Sequence, residues 1–208
     1  MRRAVLAAVV VVIAIVLALL IRSLNTSATL RSLKNYNASV YGLINSSDLT
    51  GKNLFRALSG GDPGTVNLTP EFQQAESQLR QAERLHAPAQ MAAAQSSLLE
   101  VLRLRADGIA TIAKHVPQAA SAATSRDAVY EISVGTSELY SSDVLYKVFV
   151  GTAIAQALNA SGIPVGPGSG GQPINSGQFV PDLGWLETRW IAVRIGAAHV
   201  SSTKPTTG

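Results

Sequence analysis

Residues 4–21, AVLAAVVVVIAIVLALLI, are 18 consecutive positions without a charge, a proline or a glycine. As a helix this run spans about 27 Å, close to the hydrocarbon thickness of a bilayer. The β-branched stretch from Val9 to Ile13 weakens a helix in water, but in lipid the backbone has no other way to satisfy its hydrogen bonds. A cleaved secretory signal peptide is the competing reading, and it shares the basic start Arg2-Arg3. Signal cores run about 7–15 residues and end on a small-x-small site. This run is longer and closes on Leu19, Leu20, Ile21 and Arg22, the nearest weak cleavage site ending at Ala28. Residues 1–22 therefore read as a retained transmembrane anchor. Arg2 and Arg3 on one side nearly balance Arg22, Arg31 and Lys34 on the other. The short basic tail favours a cytoplasmic N-terminus, a single pass through the cell membrane, and residues 23–208 outside.

A chain of 208 residues leaves one domain of ordinary size behind such an anchor. The pI of 9.6 invites a nucleic-acid reading. Without Arg2 and Arg3, however, 15 basic residues face 13 acidic ones, scattered and without aromatic interleaving. That is not a phosphate-binding footprint, and no nucleic-acid partner is expected. Charged residues make up only 14%, so Ser, Thr, Asn, Gln and Ala must cover much of the surface. The absence of cysteine excludes disulfides, thiolate metal sites and cysteine nucleophiles. The core must hold the fold by itself, which 47% hydrophobic content permits.

The remaining pattern predicts an all-α fold, an extended antiparallel bundle of three or four helices over residues 23–160. Leu30, Leu33, Asn37, Val40, Ile44, Ser47, Gly51, Leu54 and Leu58 step by three and four along a first helix, 24–59. Gly60 to Gly64 stop it. Thr69 and Pro70 open the next, with Thr69 as the expected cap and Phe72, Ala75, Leu79, Ala82 and His86 on one side. Pro88 either turns the chain back or kinks one long helix, and the sequence leaves both open. Met91, Gln95, Leu98, Leu102, Arg105, Ile109, Ile112 and Val116 make an unbroken heptad seam, as in coiled coils and packed bundles. A last long helix, 126–160, is expected to be capped by Ser125 or Asp127. Its seam runs Val129, Ile132, Thr136, Leu139, Asp143, Tyr146, Val150, Ala153, Ala157. Val134, Val144, Val148 and Ile154 on its other faces predict the most buried helix of the bundle.

Residues 161–178 read as a Gly/Pro-rich loop or linker: six Gly and three Pro fall between Gly162 and Gly177. Phe179, Pro181, Leu183, Trp185 and Trp190 then form a short aromatic segment, 179–200, in which Asp182 can cap a short helix and 189–195 is ambiguous between helix and strand. Residues 201–208 read as a disordered tail.

One pair of residues departs from the apolar seams. Arg105 and Asp143 occupy core positions on two different helices and carry opposite charges. Meeting in the interior, they would fix the register of those helices; the alternative has one or both turned to solvent, since Arg snorkels. Phe179, Trp185 and Trp190 are expected to dock the tail onto the bundle, or else to form an aromatic patch for a partner or for the bilayer interface. Five Asn-x-Ser/Thr triplets, at Asn25, Asn37, Asn45, Asn67 and Asn159, read as ordinary polar or capping residues, Asn37 lying on the inward stripe. His86, His115 and His199 have no metal-ligand spacing. There is no HExxH, GxSxG, phosphate-loop or dinucleotide motif, and Gly166, Gly168, Gly170 and Gly171 lack the strand and helix that a phosphate cradle needs. No catalytic residue, metal or cofactor is nominated.

The segments LLEVLRLRADGI (98–109), SSDVLYKVFV (141–150) and FVPDLGWL (179–186), behind an N-terminal anchor, resemble uncharacterised single-pass membrane proteins of high-GC Gram-positive bacteria. The resemblance implies a helical extracytoplasmic part and no activity. Some proteins of that kind continue into a partner-binding β-sandwich, for which the 208 residues leave no room. The expected function is therefore non-enzymatic contact with a protein partner or the cell envelope, residues 4–21 holding the bilayer. The alternative is a ligand-sensing helical module that works with a separate transducing partner.

Overall fold

The computed structural model describes the backbone of residues 2–166 and 171–198, and the side chains of 27–166 and 171–198. Among the described residues the chain is all-helical, with one isolated bridge between Val165 and Gln172 and no strand. Six α-helices follow in order: α1 (Arg2–Ser59), α2 (Thr69–Glu83), α3 (Ala92–His115), α4 (Ser125–Leu145), α5 (Thr152–Ala160) and α6 (Thr188–Arg194). Among the described residues no helix is long and apolar enough to cross a membrane. The anchor read at residues 4–21 lies outside the residues whose side chains are described, and the tail 201–208 lies outside the described residues altogether.

Two apolar clusters show how the rods run. The first holds Leu33, Val40 and Ile44 of α1, Ala82 of α2, Leu98 and Leu102 of α3, and Ile154 and Leu158 of α5. The second holds Leu54 and Leu58, Ala75, Ile109 and Ile112, and Ala128, Ile132 and Leu139 of α4. α1 and α3 thus climb from the first cluster to the second, and α2 and α4–α5 descend. Pro88 separates two helices: α2 ends at Glu83, a short turn leads to Ala92, and Gln95 at the start of α3 donates to the Ala82 carbonyl at 2.8 Å. The stripe of α1 and the α3 seam are buried as their spacing predicts, apart from part-buried Leu30 and Gln95.

α3 and α4 approach at the backbone. A Cβ on Gly108 would lie 2.7 Å from the Gly135 carbonyl oxygen, and one on Gly135 would lie 2.7 Å from that of Gly108. Only glycine on both helices permits this crossing.

The last long helix differs from its predicted form. The stretch Tyr146–Gly151 between α4 and α5 is a π-helical segment. Its wider turn takes up one extra residue. The seam therefore leaves Val150 by a step of four, burying Ile154 and Leu158, where the heptad pattern predicts Ala153 and Ala157. Nor is this helix buried on every side: Val134, Val144 and Val148 are exposed at 37%, 45% and 51%, because only one face of α4 meets the bundle.

The predicted caps also change. Leu68 precedes α2 without a side-chain cap, and the Asn67 carboxamide accepts from Thr69 N at 3.0 Å, so the Asx turn and not the Thr69 hydroxyl shapes this entry. Neither Ser125 nor Asp127 caps α4; Thr124 precedes it, and its hydroxyl donates instead to the Gln118 carbonyl. Asp182 does cap a short turn, accepting from Gly184 N at 2.8 Å.

Candidate functional site

Between the two apolar clusters lies a polar layer built on Arg105, which is fully buried. Heptad spacing carries its side chain into the interior at the level where α1 places Ser47 and Asp48 and α4 places Ser142 and Asp143. A guanidinium has five N–H donors, and here each finds an acceptor. Nε donates to Ser142 Oγ at 3.2 Å. Nη1 donates to Ser47 Oγ at 2.8 Å and Asp48 Oδ1 at 3.2 Å. Nη2 donates to Asp143 Oδ1 at 3.2 Å and the Gly177 carbonyl at 2.6 Å. The Phe179 ring covers the guanidinium, 4.8 Å from Cζ to the ring centroid. Nearby, buried Gln78 of α2 donates to Ser46 Oγ and Thr50 Oγ1 of α1 at 3.1 and 3.0 Å.

Asp143 carries a second load. Its Oδ1 accepts from Phe179 N at 2.8 Å and its Oδ2 from Val180 N at 2.9 Å. One carboxylate thus joins the buried cation to the segment that follows the Gly/Pro loop. The loop is no slack linker. Asn37 on the inward stripe donates to the Pro173 carbonyl at 2.9 Å, and Asn175 donates to Asn45. Gly177 turns with φ +65° against the Tyr146 ring, where a side chain has neither the backbone freedom nor the space.

The electrostatics follow from burial. Two carboxylates share one guanidinium. Desolvation pushes the Asp48 carboxyl up to about 6 against the pull of Arg105. It also raises Asp143, against the N–H groups of Val180 and Phe179 and against Arg105. Desolvation lowers Arg105, opposed by both aspartates. Burial likewise raises the Tyr146 hydroxyl above its ordinary range.

The structure thus brings Arg105 and Asp143 together, and adds Asp48, Ser47, Ser142 and the Gly177 carbonyl, none of which the sequence reading placed with that pair. Ser47 sat on the predicted stripe. The Gly177 carbonyl had no signal, since a backbone acceptor in a loop has no sequence pattern. All five N–H groups of Arg105 and both oxygens of Asp143 are engaged within the chain, so this pair ties elements together, while the buried Gln78 Oε1 has no hydrogen-bond partner among the described residues.

Of the three aromatic residues grouped in the sequence, two dock. Phe179 and Trp185 are buried, and Trp185 meets Phe55 with centroids 4.8 Å apart and Arg194 at 5.0 Å. Trp190 does not dock: α6 turns Ile191 and Ala192 inward and leaves Trp190 48% exposed.

Beside the layer, between the π segment and the loop, runs a groove of about 560 Å³ lined by residues including Tyr140, Val144, Lys147, Thr152, Ile174 and Leu183. Along the outer face of α4, Tyr130, Val134, Ser137, Ser141 and Val144 are all exposed and step by four and three, and Val148 in the π segment is exposed beyond them. Glu131 and Glu138 flank this stripe, and Asp107 of α3 lies close enough to act on Glu138. One carboxylate oxygen of Glu138 is buried without a partner among the described residues, and burial followed by Asp107 raises that carboxyl. Among the described residues no group of three or more His, Cys, Asp or Glu could hold a metal ion.

No family model, curated protein or solved structure matches this chain.

Proposed function

We propose that this chain is a membrane-tethered, extracytoplasmic contact protein whose outer α4 face receives an amphipathic helix of a partner protein. Residues 4–21 cross the bilayer once, with the N-terminus in the cytoplasm, and the bundle stands outside. The exposed stripe from Tyr130 to Val148 carries this reading. Its 19 residues span about 27 Å, five helical turns and longer than a small molecule. Its heptad spacing is that of a helix seam left without a partner. The acidic edge formed by Asp107, Glu131 and Glu138 specifies the partner's chemistry, a basic flank beside an apolar stripe.

Site-specific photocrosslinking in intact cells tests this. A benzoylphenylalanine at Ser141, exposed in the middle of the stripe, is expected to give an adduct heavier than the chain alone and different from twice its mass. Glu100, exposed on α3, should give none. The adduct should vanish in Val144→Glu/Val148→Glu and in Glu131→Lys/Glu138→Lys. An adduct of two copies of this chain, or one indifferent to both double variants, refutes the reading.

The groove beside α4 favours a second reading, a ligand-sensing module. Its volume lies in the range of small-molecule sites, and its wall includes the loop that Asp143 holds. A small molecule that copurifies with the wild-type chain and is lost on Val144→Trp would support sensing over contact.

A further inference from the structure

We propose that the groove between the π segment and the Gly/Pro loop binds a small organic monoanion, a carboxylate on an apolar body, with Lys147 as the cation that meets it. This rests on the sensing reading of the groove and adds to it the class of ligand.

Three charged side chains line the groove of about 560 Å³: Asp143, Lys147 and Asp182. Both carboxylates are already satisfied within the chain. Asp143 is held by Arg105 and by the N–H groups of Phe179 and Val180. Asp182 accepts from Arg194 Nη1 at 3.0 Å and from Gly184 N at 2.8 Å. Lys147 stands four residues after Asp143, the spacing at which a carboxylate and an ammonium pair along a helix. The buried guanidinium takes that carboxylate instead, and among the described residues Lys147 forms no ion pair. The chain that follows offers no substitute, because residues 148–181 carry no charge of either sign. The groove is thus left with a cation and no counter-ion for it.

The rest of the lining selects the kind of anion. Val144, Ala155, Ile174, Val180 and Leu183 give the groove apolar surface, which rewards a hydrocarbon or aromatic body and gives nothing to a bare inorganic ion. Tyr140 and Ser176 add hydroxyls, donors that a carboxylate accepts from. A lysine ammonium is a single point charge, enough to neutralise one carboxylate, whereas a phosphate group carries close to two charges and calls for several charged or forked donors.

The groove is also built before any ligand arrives. Its loop wall is tied down by Asn37 on the Pro173 carbonyl, by Asn175 on Asn45, and by Asp143 on Phe179 and Val180. A wall already fixed costs little further ordering on binding. The opposite wall includes Tyr146, Lys147 and Gly151 of the π segment, and such segments recur where helices carry function.

The test uses the full chain in nanodiscs of phosphatidylcholine, which have no net charge, with empty discs as the blank. Affinities of phenylbutyrate and of its uncharged amide are read by ligand-detected NMR titration. The acid is expected to bind about fivefold more tightly than the amide, the upper end for a solvent-exposed ion pair, and the difference should shrink at high salt. In Lys147→Gln the acid should fall to the affinity of the amide. In Val144→Trp, which fills the groove, both should be lost. Lys147 and Val144 are exposed, so these variants keep the fold, which circular dichroism checks. Equal binding of acid and amide, or a preference for the acid that survives Lys147→Gln, overturns the proposal alone, since loss of both compounds in Val144→Trp still marks the groove as a ligand site. Binding of neither compound, or binding unchanged in Val144→Trp, overturns the sensing reading together with it.

Discussion

Two aspartates share Arg105, and the structure separates what each contributes. Asp143 makes three bonds: to Arg105 Nη2 at 3.2 Å, to Phe179 N at 2.8 Å and to Val180 N at 2.9 Å. Asn at this position keeps one acceptor oxygen and sets an amide N–H₂ against the remaining donors. Removing one partner of a buried pair costs about 3–5 kcal/mol. Asp48 stays beside Nη1 and keeps the cation from being orphaned, which places Asp143→Asn near the low end, about 3 kcal/mol. Asp48 makes one bond at 3.2 Å, and desolvation, which pushes its carboxyl up to about 6, offsets most of what its charge gains from Arg105. Asp48→Asn is therefore expected to cost under about 1 kcal/mol at pH 7. Urea unfolding of the chain in nanodiscs measures both, read through Trp185 in a Trp190→Phe background where Trp185 is the only tryptophan. A cycle of Arg105→Met and Asp143→Leu should show two costly single changes and a double change below their sum. Equal costs for Asp48→Asn and Asp143→Asn, or harmless single changes in the cycle, would sink the claim that Asp143 carries the layer.

The same layer predicts a pH dependence. The folded chain binds a proton at Asp48 that the unfolded chain releases, because the carboxyl sits at about 6 against an ordinary 3.8. Linkage makes this contribution fall as pH rises between those values and stay low above them; the midpoint of thermal unfolding at pH 5 and pH 7 should show it, with a smaller difference in Asp48→Asn. Gly108→Ala and Gly135→Ala each place a methyl 2.7 Å from an opposing carbonyl oxygen, and both should lower stability by about 1–3 kcal/mol despite alanine's better helix propensity. Gly42→Ala meets nothing within 4 Å and should raise stability by up to about 1 kcal/mol, so calorimetry of the three variants tests the crossing directly. Trp185→Ala should cost about 3–5 kcal/mol and Trp190→Ser under about 0.5 kcal/mol in urea unfolding followed by circular dichroism in the otherwise unchanged chain, because the first is buried and the second is about half exposed.

What was legible in the sequence was whatever repeats with a helix. The α1 stripe and the α3 seam run in register with burial, and an arginine on a seam announced a polar layer, because the packing of its neighbours leaves it nowhere else to go. Three features broke that legibility, each for its own reason. The π segment adds a residue without changing composition, so a pattern of three and four continues past Val150 on paper while the structure buries Ile154 and Leu158. The Gly/Pro loop reads as a spacer because its work is done by backbone: the Gly177 carbonyl accepts a hydrogen bond from Arg105, and the Phe179 and Val180 N–H groups donate to Asp143. The valines of α4 read as core because hydrophobicity does not say which apolar face has found a partner. That last misreading is also the most useful one. The stripe these valines belong to, Tyr130, Val134, Ser137, Ser141, Val144 and Val148, is apolar at both ends and polar in the middle, and nothing within the described bundle covers it, which is what supports the proposed contact face.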